Sequence, residues 1–530
     1  MSADLLLVGT TVRTLDPARP TAHAVAVRDD RIIGLDDDAL ALRGTGTEVI
    51  DLGGAVTTPG LVDGHAHPLL GATSFVGLDL SSCRDLTDLR AVLAGAEPGE
   101  DGWVTGFGLD HNVFGGAPIT NAVLDEVLPG LPVLVVLYDG HSALASSEAL
   151  RRAGVSGPRR FEQRAEIVCD DAGRPTGLLL EHAAMGVVRD VVPPMPVAEL
   201  RERLHAVLDG MAATGLTGAT MMDAEGDALA ALASAEEHGD LAVRLRVMPW
   251  CMPEDDLAAI DALQGRRGRR WAVGGVKFFI DGTVEGGTAW LEHADCHGQG
   301  VEAFWRDPAA YTRAVRHFAA ARVQTATHAI GDAGVRHVVD SFAGVGTGGV
   351  RHRVEHLETL PLDDVRRLVD TGLVASMQPS HTGYTRADLT DEWATRLGAD
   401  RAARAWVCRD VRDAGGVLVL GSDWPIAGYD AREVLGYARL RRRPGSTDAP
   451  VLPAQALTGA MALEGMTSHA AIADGASAEA GRVAVGCRAD LTVFTVDPVD
   501  APADEVADAP IQLTVSGGRV THRAEASCPA

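Results

Sequence analysis

Two histidines one residue apart, His65 and His67, stand in the segment TPGLVDGHAHP, Thr58 to Pro68. Side chains two apart on an extended segment point the same way, so both imidazoles can converge on one point at a strand's end. Imidazole is a good ligand for Zn, Ni, Fe and Mn. The same pattern of a short apolar run ending in a ligating side chain recurs downstream. VGGVKFFIDG carries Lys277, QTATHAIGD carries His328, RHRVEH carries His356 and VLVLGSDWP carries Asp423. A lysine inside an apolar strand is costly unless its charge is neutralised or paired. One strand-end histidine is usually a satisfied polar residue. Six candidates on successive units are poorly explained by coincidence.

The chemistry such a set offers is hydrolysis. A divalent ion held by His65, His67 and Asp423 would lower the pKa of bound water from about 16 toward about 7. A second ion held by His328 and His356 would polarise a carbonyl oxygen. Asp423 can take a proton from the attacking water and pass it to a leaving amine, as general base and then general acid. Weaker candidates are His141, Asp281 and His381 as substrate contacts, with Glu181 lining the same region. Asp281 precedes Gly282 and reads equally well as a turn former. His293 and His352 read as surface or structural residues.

These side chains need a scaffold that brings strand ends together. From about residue 59 to 475 the chain alternates buried strands with helical patterns such as Pro308–Ala321 and Leu362–Asp370. Repeated βα units with polar residues at the strand C-termini predict an α/β fold, a distorted TIM (β/α)8 barrel with its site on that rim. The expected organisation is residues 1–58 as the N-terminal part of a small β-sandwich and 59–75 as the barrel start. Residues 76–200 form an inserted cap domain, 201–475 the catalytic barrel and 476–530 the C-terminal part of the sandwich. Strands are expected at Leu5–Val8, Thr11–Thr14, Ala24–Val27, Ile32–Ile33 and Glu48–Ile50. At the other end they are expected at Gly481–Val485, Leu491–Phe494, Leu513–Val515 and Arg519–Thr521, with a frayed end beyond.

Composition narrows the partners. The 530 residues carry a net charge of −26, so phosphate backbones are repelled and nucleic-acid binding is not expected. Seven cysteines without a C-x-x-C pair argue against a disulfide framework or a zinc knuckle. The N-terminus reads as a strand, not a signal peptide, and no apolar stretch is long enough for a membrane span. A cytoplasmic protein acting on a small molecule is expected; a homodimer is left open.

In this order the motifs resemble the metal-dependent amidohydrolase superfamily over nearly the full length, and within it amidohydrolase family 3, which includes N-substituted formamide deformylases. DGHSALASSEAL, KFFIDGTVEGGTAWL and GRVAVGCRADLTVF resemble that branch. Ser146 and Leu109 depart from it, where Asn and an aromatic residue are expected. The resemblance implies hydrolysis of an amide-type C–N bond (N-acyl, N-formyl or aminoacyl) with one or two divalent ions, zinc foremost. It also implies a carboxylated Lys277 bridging them. Deamination of a heterocycle is the second enzymatic reading. It is disfavoured because the AIGDAG after His328 lacks the Glu such enzymes carry there. A non-catalytic binding protein would have lost a ligand, and all six are present.

Overall fold

The computed structural model describes residues 2–345 and 349–525. Eight parallel strands organise its centre. They are β1 (Leu61–Ala66), β2 (Leu216–Ala224), β3 (Arg244–Pro249), β4 (Val276–Phe279), β5 (Thr325–Ala329), β6 (Arg353–His356), β7 (Val374–Met377) and β8 (Leu418–Leu420). Strands β1 to β3 neighbour one another in one sheet, and β4 to β8 follow chain order in a second. Two seams join the sheets. Trp250 and Lys277 form a parallel bridge, and the Cys251 N–H donates to the Lys277 carbonyl at 2.9 Å. At the other seam the Asp423 N–H donates to the His65 carbonyl and the His67 N–H to that of Trp424, each at 2.7 Å. The result is a barrel-like α/β ring.

Local sequence explains the elements. Strands β4 to β8 are buried throughout, as strands covered on both faces must be. Helix Pro308–Ala320 starts with proline in its first turn, where no N–H is missed, and Asp307 caps it by accepting from the Ala309 N–H. Helix Leu362–Thr371 ends at Gly372, whose φ of 79° is left-handed. Glycine at 64 is required by a close approach: a Cβ there would lie 2.2 Å from the Val419 side chain of β8.

The chain ends meet. A six-stranded sheet runs 519–523, 511–516, 491–494, 56–59, 11–13, 21–22, so three strands from the C-terminal end join three from the N-terminal end through the antiparallel pairing of 491–494 with 56–59. A four-stranded sheet from 5–51 packs on it, with Leu5, Leu7, Val25 and Val27 sharing a core with Leu491, Val493, Leu513 and Val515. Two expectations change here. Gly481–Val485 is a turn, not a strand; Gly481 has a φ of 79°, and the segment is held by the Val483 N–H on the Thr14 carbonyl. The last strand continues past Thr521 to Arg523, and residues 526–530 lie outside the described part.

Between β1 and β2 a second six-stranded, mixed sheet appears, in the order 166–169, 175–180, 142–145, 133–137, 104–109, 78–79. It has its own core around Leu89, Leu124, Val133 and Leu144. Ser146 caps helix Ser147–Arg152 by accepting from the Ala149 N–H, so this departure has a structural use. Among the described residues no helix is long and apolar enough to cross a membrane.

Candidate metal centre and cavity

The strand ends bring the expected side chains to one rim. His65 lies at the end of β1 and its Nε2 is 3.4 Å from Asp423 Oδ1; His67 Nε2 is 3.0 Å from the same oxygen. Lys277 Nζ, from β4, lies 3.4 Å from His65 Nε2. The His65 and His356 rings are 4.8 Å apart, and His328 and His356 4.4 Å. His381, on the turn after β7, places Nε2 3.5 Å from Asp423 Oδ2. Each of these residues is buried. His356 and Asp423 both have left-handed backbones, with φ of 75° and 58°. Such strain in non-glycine residues concentrates where side-chain direction matters more than backbone comfort.

A layer behind them sets the tautomers. The His65 Nδ1–H donates to Glu355 Oε2 at 2.7 Å, leaving Nε2 free toward Lys277 and Asp423. Arg353 in turn donates to both Glu355 oxygens, at 2.9 and 3.1 Å, and to Gly64 O and Ser376 Oγ. The His356 Nδ1–H donates to Gln378 Oε1 at 2.9 Å, and its buried Nε2 has no hydrogen-bond partner. Asp63 accepts from the His65 N–H and from Ser422 N–H and Oγ–H, tying β1 to the loop that carries Asp423.

The charge states suit metal binding. Burial, with the nearby Lys277 cation, keeps His65 neutral well below the ordinary imidazole range. Burial and neighbouring cationic groups do the same for His328 and His356. Burial lowers Lys277 to about 8. Burial alone would raise Asp423, but His65, His67 and His381 outweigh it and hold the carboxylate well below its usual range. Neutral imidazoles and a carboxylate are the ligating forms. With His356 Nε2 orphaned and donor atoms of His65, His356 and Asp423 within 4.8 Å of one another, the residues fit a divalent ion.

The same rim opens into a cavity lined by His67, His141, Lys277, His328, His356, His381 and Asp423. His141 comes from the 76–200 segment. Its Nδ1–H donates to Glu181 at 2.8 Å, and its ring is 4.9 Å from that of His328. Burial opposes protonation of His141, but Glu181 outweighs it and raises the imidazole's pKa. Glu181 is buried behind His141, one step back from the lining. Asp281, expected at the substrate, is instead fully buried and accepts from the Trp290, Ile330 and Gly331 N–H groups. It anchors the loop after β4 and does not line the cavity.

Sequence reasoning passed over Glu355, Gln378, Glu285 and Glu358. A Glu directly before the strand-end His356 was a visible signal for the first. Glu285 and Glu358 reach the cavity from loops, where spacing carries no direction.

The amidohydrolase family model matches residues 48–522. The chain is similar to LONG AFTER FAR-RED 3 of Arabidopsis thaliana, 28% identical over 98% of this chain and 91% of that protein. It is similar to an N-substituted formamide deformylase of Arthrobacter pascens, 26% identical over 97% of each. Among solved structures it resembles an uncharacterized metal-dependent hydrolase of Pyrococcus horikoshii OT3. That likeness has a TM-score of 0.74 and 21% identity, covering 94% of this chain and 99% of the other. The chain belongs to the amidohydrolase family.

Proposed function

We propose that this member of the amidohydrolase family cleaves an amide-type C–N bond in a small molecule, with Asp423 moving the proton. The observation that carries the proposal is the convergence of His65, His67, Lys277, His328, His356 and Asp423 at one cavity rim, from the ends of five parallel strands. His65, His67 and Asp423 would hold one ion and His328 and His356 a second, and zinc suits this donor set. Bound there, it would polarise the scissile carbonyl and make a hydroxide available near neutral pH.

The chain's own residues do the rest. Asp423, held as a carboxylate, accepts a proton as water oxygen bonds to the carbonyl carbon. It returns that proton to nitrogen as the C–N bond breaks. His141, kept in orientation by Glu181, would face the substrate beside His328. Lys277 is read as carboxylated. Its lowered pKa keeps a reactive fraction of neutral amine, which bonds to the carbon of CO2 and releases a proton. The product is an anion long enough to reach two ions. Residues 76–200 are read as a cap on the eight-stranded barrel, supported by Tyr138 to His141 among the cavity residues.

The test is a hydrolysis screen of N-formyl, N-acyl and aminoacyl amides on protein loaded with zinc in bicarbonate, with His65→Ala as control. Turnover of one class, absent in the control, supports the reading. No turnover of any class at full metal loading overturns it.

A further inference from the structure

One wall of the cavity is acidic and aromatic, and among the described residues its acids have no arginine or lysine partner. Glu285, on the loop after β4, and Glu358, two residues beyond β6, both line it. Tyr138 donates its hydroxyl to Glu285. Glu358 Oε2 accepts from the Trp393 indole N–H at 2.7 Å, and its Oε1 is 3.7 Å from His381 Nδ1. The Arg396 guanidinium is committed elsewhere: it pairs with Asp295 at 2.8 Å and meets Glu285 only through its backbone carbonyl. Among the described residues Lys277 is the single lysine on the lining, beside His65, and no arginine contributes to it. Burial and the proximity of Glu358 push the Glu285 carboxyl up to about 8.

Two neighbouring acids without a cation keep a proton in place of a second charge, and a cation that arrives can take that proton's place. What surrounds them favours a cation. The Tyr138 and Tyr384 rings lie 4.9 Å apart, and Trp393 and Trp406 stack at 4.6 Å, so π-faces crowd the same wall. A second observation points to a ligand. Trp406 is only 2% exposed, lines the cavity, and its indole N–H has no partner, so it is a donor waiting for an acceptor oxygen. His381 spans the short distance to the reaction centre, with Nδ1 toward Glu358 and Nε2 toward Asp423.

We infer that the substrate is an amide that also carries a protonated amine, with the ammonium seated between Glu285 and Glu358 against the aromatic wall. The inference rests on the proposed amide hydrolysis and selects, among its classes, the amine-bearing amides. The amide carbonyl then lies toward Asp423, and Trp406 serves an oxygen of the same molecule. A neutral amide of the same shape would leave both acids unpaired.

Two arms test it. In the first, matched pairs are compared for kcat/KM on the zinc-loaded enzyme: leucinamide against 4-methylpentanamide, and N-formyl-1,3-diaminopropane against N-formylbutylamine. The charged member of at least one pair should be preferred by about tenfold or more. That ratio should fall toward one in Glu285→Gln, with Glu358→Gln as an independent second variant. Equal or better cleavage of the neutral members overturns the inference and leaves amide hydrolysis standing. If no amide is cleaved, hydrolysis itself has failed, and the second arm still decides the cation seat. There, benzylammonium should raise the melting temperature of the zinc-loaded protein while benzyl alcohol does not, and Glu285→Gln should abolish the difference. No difference in the wild-type protein overturns the seat.

Discussion

Three imidazoles stand around Asp423 and hold its carboxylate below the usual range, and in the proposed metal site His65 and His67 are ligands that no neighbour replaces. Converting either to Ala should lower turnover by roughly three orders of magnitude or more, because the nucleophile is no longer generated. Melting temperature should fall little, since neither residue belongs to the apolar core. A His65→Ala enzyme with wild-type rates would remove the metal-site assignment. Glu355 acts one step behind. Glu355→Gln should weaken metal affinity about 10- to 100-fold, because a carboxylate that orients a ligating imidazole is worth that much. Competition against a metal-binding dye would read it directly, independent of turnover. Lys277→Ala should lose most activity, and a small carboxylic acid such as propionate should restore part of it by supplying the missing anion. Rescue by propionamide instead would show that the gap, not the charge, matters.

At the scale of strands, His352 shows how a histidine can hold two of them together without any part in chemistry. It is fully buried just before β6, stacks on Phe342 at 4.6 Å, and its Nδ1 accepts from the Thr325 N–H of β5 at 3.2 Å. Acceptance at Nδ1 requires the neutral ring, and burial lowers its pKa to about 4. The unfolded chain binds a proton at this residue near pH 6.5, the folded chain only near 4. Its contribution is therefore complete above about pH 6.5 and is lost as pH falls toward 4, amounting to about 3 kcal/mol at most. In His352→Gln, which keeps an acceptor but cannot titrate, the melting temperature should fall less steeply from pH 6.5 to 4.5. Parallel curves for the two proteins would refute this. The same pair of strands carries His328 and His356, so the register that His352 stabilises also sets the 4.4 Å between those rings.

Across the whole molecule, the proposed metal ligands and part of the cavity lining come from different parts of the chain. The candidate ligands come from the ends of parallel strands, whereas Tyr138 and His141 come from the turn joining strands 133–137 and 142–145 of the sheet inserted between β1 and β2. His141→Ala should therefore change relative kcat/KM among amides by tenfold or so while metal content stays constant. Loss of metal in that variant, measured by elemental analysis, would mean that the segment belongs to the metal centre itself. The paired termini add a mechanical constraint. The strand Val56–Pro59 leads directly into β1 and pairs with Leu491–Phe494, so the C-terminal strands hold the entrance to the first ligand strand.

The sequence alone determined the periodic part of this protein. Alternating strands and helices, their parallel order and the metal-ligand candidates at their ends are written in local patterns, because a strand end has a direction that spacing reveals. His65, His67, Lys277, His328, His356 and Asp423 were legible for that reason. Asp281 looked like a substrate contact and became a loop anchor, because only the fold shows that three backbone N–H groups surround its carboxylate. Glu285, Glu358 and Trp406 were illegible for the complementary reason. They come from loops after different strands, and no periodicity aims a loop side chain. Tertiary closure alone placed two acids without an arginine or lysine partner against an aromatic wall, and with them the seat proposed for a cationic substrate group.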